Sequence, residues 1–483
     1  MEKKPNILII MSDQFRGDCM GFMGHPDVKT PYLDTLAARG VAFTNAYSAC
    51  PSCVPARAGF LTGYKPSHHR RVGYVDGEKW EFDRTIASEC AKNGYYTKAC
   101  GKMHIHPTRT LAGFNHIDLH DGYLHYVRYQ SNEYKYQQRI NDDYFYYLRN
   151  EKGIDADTID TGLECNSWVA RPWCYDEQLH PTNWVTNKAM DFLRTRDPGK
   201  PFLLFASYLK PHPPLDPPEY YYNMYMNMDL RAPAIGDWEK EDEIERLGRI
   251  FDSKTGPKDK FMIKQMMAGY YGLITHLDHQ IGKLIQALVE HEVYDNTIII
   301  FTADHGEELG DHHLFRKSRA YEGSCHIPLI ISAPEHLVKG IKRGAKAEGV
   351  VELMDIMPTV LDLIGAEKNE DIDGKSLMEM LSDPEKKVRA YLHCEHAYME
   401  HSSQWIVTEK DKYIWNTNDG KEEYFDLEKD PRELHEASKE NIERVSEMRK
   451  ALIKELEGRP EGFVKDGTLV AGRPYEPLLD KPF

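Results

Sequence analysis

The sequence predicts an α/β protein built on a large, mostly parallel sheet flanked by helices, followed by a small C-terminal α+β unit with an antiparallel sheet. Three observations predict it. Short apolar runs at 6–11, 96–100, 201–207, 297–301 and 327–331 alternate with amphipathic stretches, as buried strands joined by helical crossovers do. Polar residues cluster directly after several of these runs, where open parallel sheets hold their ligands. Beyond a composition shift near Asp383-Pro384 the runs become short and punctuated by turn signals such as Asn418-Asp419-Gly420, and an amphipathic helix over 442–456 closes them. With 483 residues the chain exceeds one small core, and the expected division is a large domain of residues 1–384 and a subdomain of 385–483 with its terminal helix and tail.

Taken in order, residues 6–11 are the first strand. Two lysines precede this run as in a signal peptide, but it is too short for an apolar h-region and Ser12, Asp13 and Gln14 follow directly. No other stretch is long enough to span a bilayer, so the cytoplasm is the expected location. Thr30 and Pro31 read as N-cap and first residue of a helix. Residues 85–92 form another, ended by Gly94, before the strand 96–100. Residues 114–180, rich in Tyr, His, Asn and Asp without a period, read as an insertion over the sheet edge; its aromatics either line a sugar or aryl pocket or fill gaps beneath the loop. A helix over 182–194 leads to the strand 201–207, and 216–258 is a second irregular excursion. Ile274, Leu277, Ile281, Leu284, Ile285 and Leu288 define one apolar helix face, and His276 and His279 fall off it, on the side expected to meet solvent. Residues 353–363 are a further helix; 388–392, 405–408, 412–415 and 423–425 are the short strands of the C-terminal sheet.

Hydrophobic residues at 41% and charged residues at 29% describe an ordinary globular protein. The formal net charge of −16 argues against nucleic acid or a polyanionic surface as the main partner, and an anionic substrate then needs a locally basic pocket. Nine dispersed cysteines fit reduced thiols better than a disulfide framework.

The most informative stretch runs from Cys50 to Gly63, C-P-S-C-V-P-A-R-A-G-F-L-T-G. Pro55 suits the first turn of a helix, which places Cys53 at a helix N-terminus where free amides and the macrodipole favour an anion. Arg57 falls about one turn later on the same helix and can reach whatever Cys53 carries or becomes. For a lone cysteine the plain reading is a buried thiol, and C-P-S-C also admits a redox pair, though without a thioredoxin-like context. The C-x-P-x-R string with its trailing L-T-G resembles the signature of the type I, formylglycine-dependent sulfatases of the alkaline phosphatase superfamily. The family form is usually C-x-P-S-R; Ala56 stands for Ser here.

Other strings follow in the family's order. Asp13-Gln14 follows the first strand, Gly101-Lys102-Met103-His104 the strand ending near Cys100, Pro211-His212 the strand 201–207, and Ala303-Asp304-His305-Gly306-Glu307 the strand 297–301. An isolated Asp at a strand end is more often a turn or cap residue; the joint occurrence is what counts. The resemblance, over residues 6–328, implies one divalent metal held by Asp13, Gln14, Asp304 and His305 with a formylglycine made from Cys53. Many sulfatases carry Asp at the position of Gln14 and Asn at that of His305. The hard donor set makes Ca²⁺ the first choice, with Mg²⁺ or Mn²⁺ open.

The resemblance also implies the chemistry: a hydrated formylglycine whose one hydroxyl attacks sulfur and whose other is later deprotonated to expel sulfate. In that scheme Arg57 and His104 hold and deprotonate the hydrate, Lys102 and Lys317 neutralise sulfate oxygens, and His212 protonates the departing oxygen. The reaction implied is hydrolysis of a sugar or aryl sulfate to alcohol and inorganic sulfate. A phosphonate monoester or phosphodiester hydrolase of the same superfamily shares the D-Q, C-x-P-A-R and D-H variants. Lys102-Met103-His104 favours the sulfatase, although Met103 replaces a common Trp. A catalytically dead binding protein is opposed by every expected catalytic position being filled. The partners implied are a small sulfated substrate and the sulfatase-maturing enzyme, with no nucleic acid, no membrane, and a homo-oligomer left open. Finally, residues 394–401, C-E-H-A-Y-M-E-H, read as an exposed loop beside the mouth of the site; His396 is the expected substrate contact, weighed against a merely solvated loop.

Overall fold

The structure is a computed structural model that describes residues 4–122, 142–240, 255–256, 258–367 and 371–483. Every residue of β1 (Asn6–Asp13) is buried, so this strand can only be central. It is followed by β2 (Gly40–Phe43), β3 (Ala46–Tyr47), β4 (Tyr96–Gly101), β5 (His116–Leu119), β6 (Phe202–Pro211), β7 (Thr297–Ala303), β8 (His326–Ile327), β9 (Leu329–Ser332), β10 (Ala345–Ala347) and β11 (Val351–Glu352). The large sheet runs β10-β2-β9-β7-β1-β6-β4-β5. All its pairings are parallel except those of β9 with β7 and β2. The mostly parallel sheet is therefore as expected.

The run 327–331 is not one strand. Pro328 has no N–H to give a ladder, and the chain changes sheet there: β8 pairs with β3 in the small sheet β11-β3-β8, and β9 enters the large one. The freed Pro328 carbonyl accepts from Thr302 Oγ1 at 2.9 Å. At the end of β4, Gly101 has φ +100°, and a Cβ there would lie 1.9 Å from the Ser207 carbonyl oxygen. Only glycine lets β4 press so closely on β6 and hand the chain to Lys102.

The expectation for His276 is corrected. The helix Lys260–Glu290 is covered on its polar side by the helices Pro181–Thr195 and Glu219–Met226, the latter inside the excursion read as irregular. His276 is fully buried, 2.7 Å from Asn183 Oδ1, with its ring against His180. His279 is half-buried and bonded to the Tyr221 hydroxyl at 3.0 Å. Of the 114–180 insertion, residues 123–141 lie outside the described residues; so do 241–254 of the second excursion. Tyr144 fills a gap against His120 and Trp184.

The C-terminal sheet has the antiparallel order β12 (Leu392–His396), β13 (Ser403–Val407), β14 (Asp411–Asn416) and β15 (Glu422–Asp426). One face joins Leu392, Cys394, Trp405, Val407 and Phe425 to Tyr47, Cys325 and Val350 of the large domain. The other is covered by the helix Ile442–Leu456, through Val445, Met448, Leu452 and Leu456. The first strand thus lies further along the chain than 388–392. Cys394, Glu395 and His396 are strand residues, and His396 is 1% exposed, not part of an exposed loop. Cys394 decides this, because the apolar cluster takes it in.

Candidate active site

Four neighbouring parallel strands end on one rim. In sheet order β7 delivers Asp304, β1 delivers Asp13 and Gln14, β6 delivers His212, and β4 delivers Lys102 and His104. Into the same space comes the helix Cys53–Thr62. Ser52 is its extended cap and Cys53 its first residue, with Pro55 in the first turn as expected.

One ligand atom each from Asp13, Cys53, Asp304 and His305 lies within 4.8 Å of the other three, and all four residues are buried. Cys53 Sγ is 3.1 Å from His305 Nε2 and 3.7 Å from Asp13 Oδ1. His305 Nδ1 donates to the Gly306 carbonyl at 2.9 Å, which turns Nε2 toward the thiol and the carboxylates. Asp304 Oδ2 accepts from Arg57 Nε at 2.9 Å, and its Oδ1 accepts from the backbone N–H groups of Gln14 and His305 at 3.1 and 3.0 Å. Arg57 Nη1 donates to the Lys102 carbonyl and Ser207 Oγ, while Nη2, buried, has no hydrogen-bond partner among the described residues.

The lysines pair with this cluster. Lys102 Nζ donates to Asp13 Oδ2. Lys317 Nζ donates to Gln14 Oε1 at 2.8 Å and lies 2.9 Å from His212 Nε2. His212 Nδ1 donates to the Pro213 carbonyl at 2.7 Å, so Nε2 is the acceptor facing Lys317. His104 lies at the outer rim, its Nε2 4.0 Å from Asp76 and its ring against Tyr74. All six expected catalytic residues and the four expected metal ligands are therefore gathered at one rim; His396 approaches from β12.

Burial pushes the Asp13 carboxyl up, but Lys102 and then His212, His305 and Lys317 pull it well below its usual range. Burial, then Asp13, hold Asp304 above its own. The Cys53 thiol, lifted by burial and Asp13, is drawn well below its usual value by Lys102, Lys317 and His305. Burial and then Lys317 keep His212 well below an ordinary imidazole. Two buried carboxylates and an imidazole nitrogen facing one point, with Asp13 resisting the ionisation of Asp304, form a donor set whose crowded charge a cation relieves. The residues fit a hard divalent metal.

Sequence reasoning missed the supports. Glu307 Oε2 accepts from Gln14 Nε2, and Glu307 Oε1 accepts from the backbone N–H groups of Leu309 and Arg316. Ser207 holds Arg57, and Asp121 Oδ1 accepts the backbone N–H groups of Met103 and His104 at 2.8 Å each. Only Glu307 carried a signal, as part of the A-D-H-G-E string.

The Sulfatase family model matches residues 5–366. The chain is a sulfatase. A model for the C-terminal region of N-sulphoglucosamine sulphohydrolase also matches, over residues 310–460. The sulfatase is 48% identical over 477 residues to an arylsulfatase of Clostridium perfringens (strain 13 / Type A), covering 98% of this chain and 99% of that one. It is 31% identical over 411 residues to the multifunctional alkaline phosphatase superfamily protein PehA of Trinickia caryophylli, covering 79% of this chain and 77% of that one. The crystal structure of the phosphonate monoester hydrolase of Agrobacterium radiobacter matches with a TM-score of 0.77 at 25% identity, covering 98% of this chain and 100% of that one. The fold is alkaline-phosphatase-like and the enzyme is a sulfuric ester hydrolase. No described helix is long and apolar enough to cross a membrane.

Proposed function

We propose that this sulfatase acts through a formylglycine made from Cys53, beside one divalent cation held by Asp13, Gln14, Asp304 and His305, on a small sulfated sugar or aryl sulfate. The observation that carries the reading is the convergence of the buried Asp13, Asp304 and His305 on Cys53, one ligand atom of each of the four lying within 4.8 Å of the others. When bound, a divalent cation, Ca²⁺ by the hardness of its donors, would supply positive charge to polarise a sulfate oxygen, and a formylglycine at position 53 would supply a hydroxyl nucleophile. The thiol of Cys53 stands where the matured chain carries that group.

The chain's own residues do the rest. Lys102 and Lys317 place two ammonium groups where charge develops on sulfate oxygens. Arg57, fixed by Asp304, Ser207 and the Lys102 carbonyl, keeps Nη2 for the residue-53 group. His212 and Lys317, 2.9 Å apart, form the proton path to the departing oxygen, and His104 takes the proton from the nucleophile side. His396, buried with neither ring nitrogen hydrogen-bonded, is read as a contact for the leaving group. We read residues 1–384 as the catalytic unit and 385–483 as the sheet that walls its mouth. Cys53 is 1% exposed, so the maturing enzyme acts on it before the chain closes. Nine free thiols, eight of them buried, support a reducing compartment, the cytoplasm.

The test is mass spectrometry of the Cys53 peptide from active enzyme, expected lighter by the exchange of thiol for aldehyde. A fully active sample with Cys53 unmodified overturns the reading. The likeness to a phosphonate monoester hydrolase favours one alternative, hydrolysis of phosphonate monoesters or phosphodiesters. Higher efficiency on phenyl phenylphosphonate than on 4-nitrophenyl sulfate would move the preferred substrate there.

A further inference from the structure

Arg319 stands two residues beyond Lys317, on the segment leading from the catalytic rim to the small sheet. Its backbone N–H donates to Ser324 Oγ at 3.2 Å, and its half-buried guanidinium lies 5.4 Å from the centre of the Tyr398 ring. Among the described residues that guanidinium makes no hydrogen bond and no ion pair. Arg16, Arg57, Arg389 and Arg459, by contrast, each hold a carboxylate. A half-buried guanidinium without an anion has lost part of its hydration and gained no compensating charge, and its fork stays open to an incoming anion. Burial accordingly pulls its pKa below the ordinary value.

Neither neighbouring acid serves as the partner. The Glu308 carboxyl is fully buried with both oxygens lacking hydrogen bonds. Glu400 is largely exposed and turns to His401 at 3.4 Å. A second polar group nearby is equally unspent: His396, at the end of β12, is 1% exposed with neither ring nitrogen bonded, and it lies within electrostatic reach of both Arg319 and His305. Arg319 also borders a cavity of about 500 Å³ between the 312–321 segment and the C-terminal sheet, where Lys240, Lys421, His313 and His401 stand among the carboxylates of Glu239, Glu400, Asp419 and Glu423. That volume is in the range of small-molecule sites.

We propose that Arg319 is a specificity-determining residue that binds a second anionic group, a carboxylate or a further sulfate, on the leaving-group side of the substrate. Preferred substrates are then sulfate esters of acidic alcohols, such as sulfated sugar acids or carboxylated aryl sulfates, rather than neutral ones. The proposal rests on sulfate-ester hydrolysis at the Cys53 site. A planar guanidinium takes a carboxylate or sulfate with two parallel hydrogen bonds, which Lys317 and Lys102 cannot do while engaged at the reacting sulfate. In a chain of net charge −16, an extra anion on the substrate is tolerated only where cations are placed for it.

The experiment compares kcat/KM of the formylglycine-containing enzyme on matched pairs differing by one anion at different reach. The pairs are phenyl sulfate against 3- and 4-sulfooxybenzoate, and a hexose sulfate against the corresponding uronic acid sulfate. At least one acidic member is expected to be favoured by about tenfold or more, the worth of one charge-assisted pair. That ratio is expected to collapse toward one in Arg319→Gln and to be partly kept in Arg319→Lys. Ratios near one throughout the wild type, or a preference that survives in both variants, overturn the proposal. Added inorganic sulfate separates a free oxyanion from a substituent: stimulation of phenyl sulfate turnover that depends on Arg319, with no preference within the pairs, also overturns it. Hydrolysis of no sulfate ester at all would instead remove the functional reading beneath it.

Discussion

Gln14 shows how closely single residues are held at this site. Its backbone sits at φ 67°, a conformation a non-glycine residue keeps only when its surroundings enforce it, and its N–H is tied to Asp304. Its side-chain amide is clamped from both ends, the oxygen by Lys317 and the nitrogen by Glu307. Glu307 reaches no substrate, yet it decides which way that oxygen points. Glu307→Ala is therefore expected to weaken metal binding and kcat/KM by roughly 10- to 100-fold, as when a group orienting a metal ligand is lost. Calorimetric metal titration checks this separately from kinetics; unchanged metal affinity would show that Gln14 needs no such clamp.

At the scale of elements, the helix Pro31–Ala38 is held by a residue far away in sequence. Thr30 occupies its cap position but turns its hydroxyl to Gly21 and Asp34, and the first amides go to Asp278 on the helix Lys260–Glu290. Asp278 accepts from the N–H groups of Leu33 and Tyr32 at 2.8 and 3.1 Å. Burial lifts its carboxyl from 3.8 to about 7, although both amides oppose the lift. The folded chain thus holds a proton that the unfolded chain has released. Its contribution to stability is complete below about pH 4 and is lost as pH rises through 7. Asp278→Asn is expected to flatten the fall in unfolding free energy, measured by urea denaturation between pH 4 and pH 7, by up to ~1.4 kcal/mol per pH unit. Equal slopes in the two proteins would refute the assignment.

At the scale of the whole molecule, the C-terminal sheet is bound to the large domain by more than its apolar face. Lys412 on β14 is fully buried, its ammonium 2.7 Å from Glu322 and 2.9 Å from Glu433. Glu433 also accepts the Glu322 backbone N–H at 2.7 Å. Glu322 lies on the segment that begins with Lys317 and Arg319, so the pairing fixes the catalytic rim and the C-terminal sheet as one piece. Lys412→Met leaves the buried Glu433 and the half-buried Glu322 facing one another without a cation and is expected to cost about 3–5 kcal/mol in urea denaturation. A loss below ~1 kcal/mol would mean that the apolar contacts alone join the two parts.

What the sequence by itself determined is what contiguous residues can encode. Unbroken apolar runs made β1, β6 and β7 legible as buried strands, and the 3.6-residue period made Ile442–Leu456 legible as a helix, because both depend only on neighbours along the chain. The C-x-P-x-R string and the polar residues after four strands were legible for the same reason, and parallel topology carried them to one rim. The tertiary structure alone decided the rest. Two- to four-residue strands such as β2, β3 and β11 exist only because a partner strand pairs with them. Whether a polar residue is solvated, as His276 was expected to be, or lies on an exposed loop, as His396 was, depends on which distant elements pack over it. Gln14 meeting Glu307, Lys412 meeting Glu433, and Arg319 meeting no carboxylate are facts of that packing, since burial and charge pairing are set by neighbours in space.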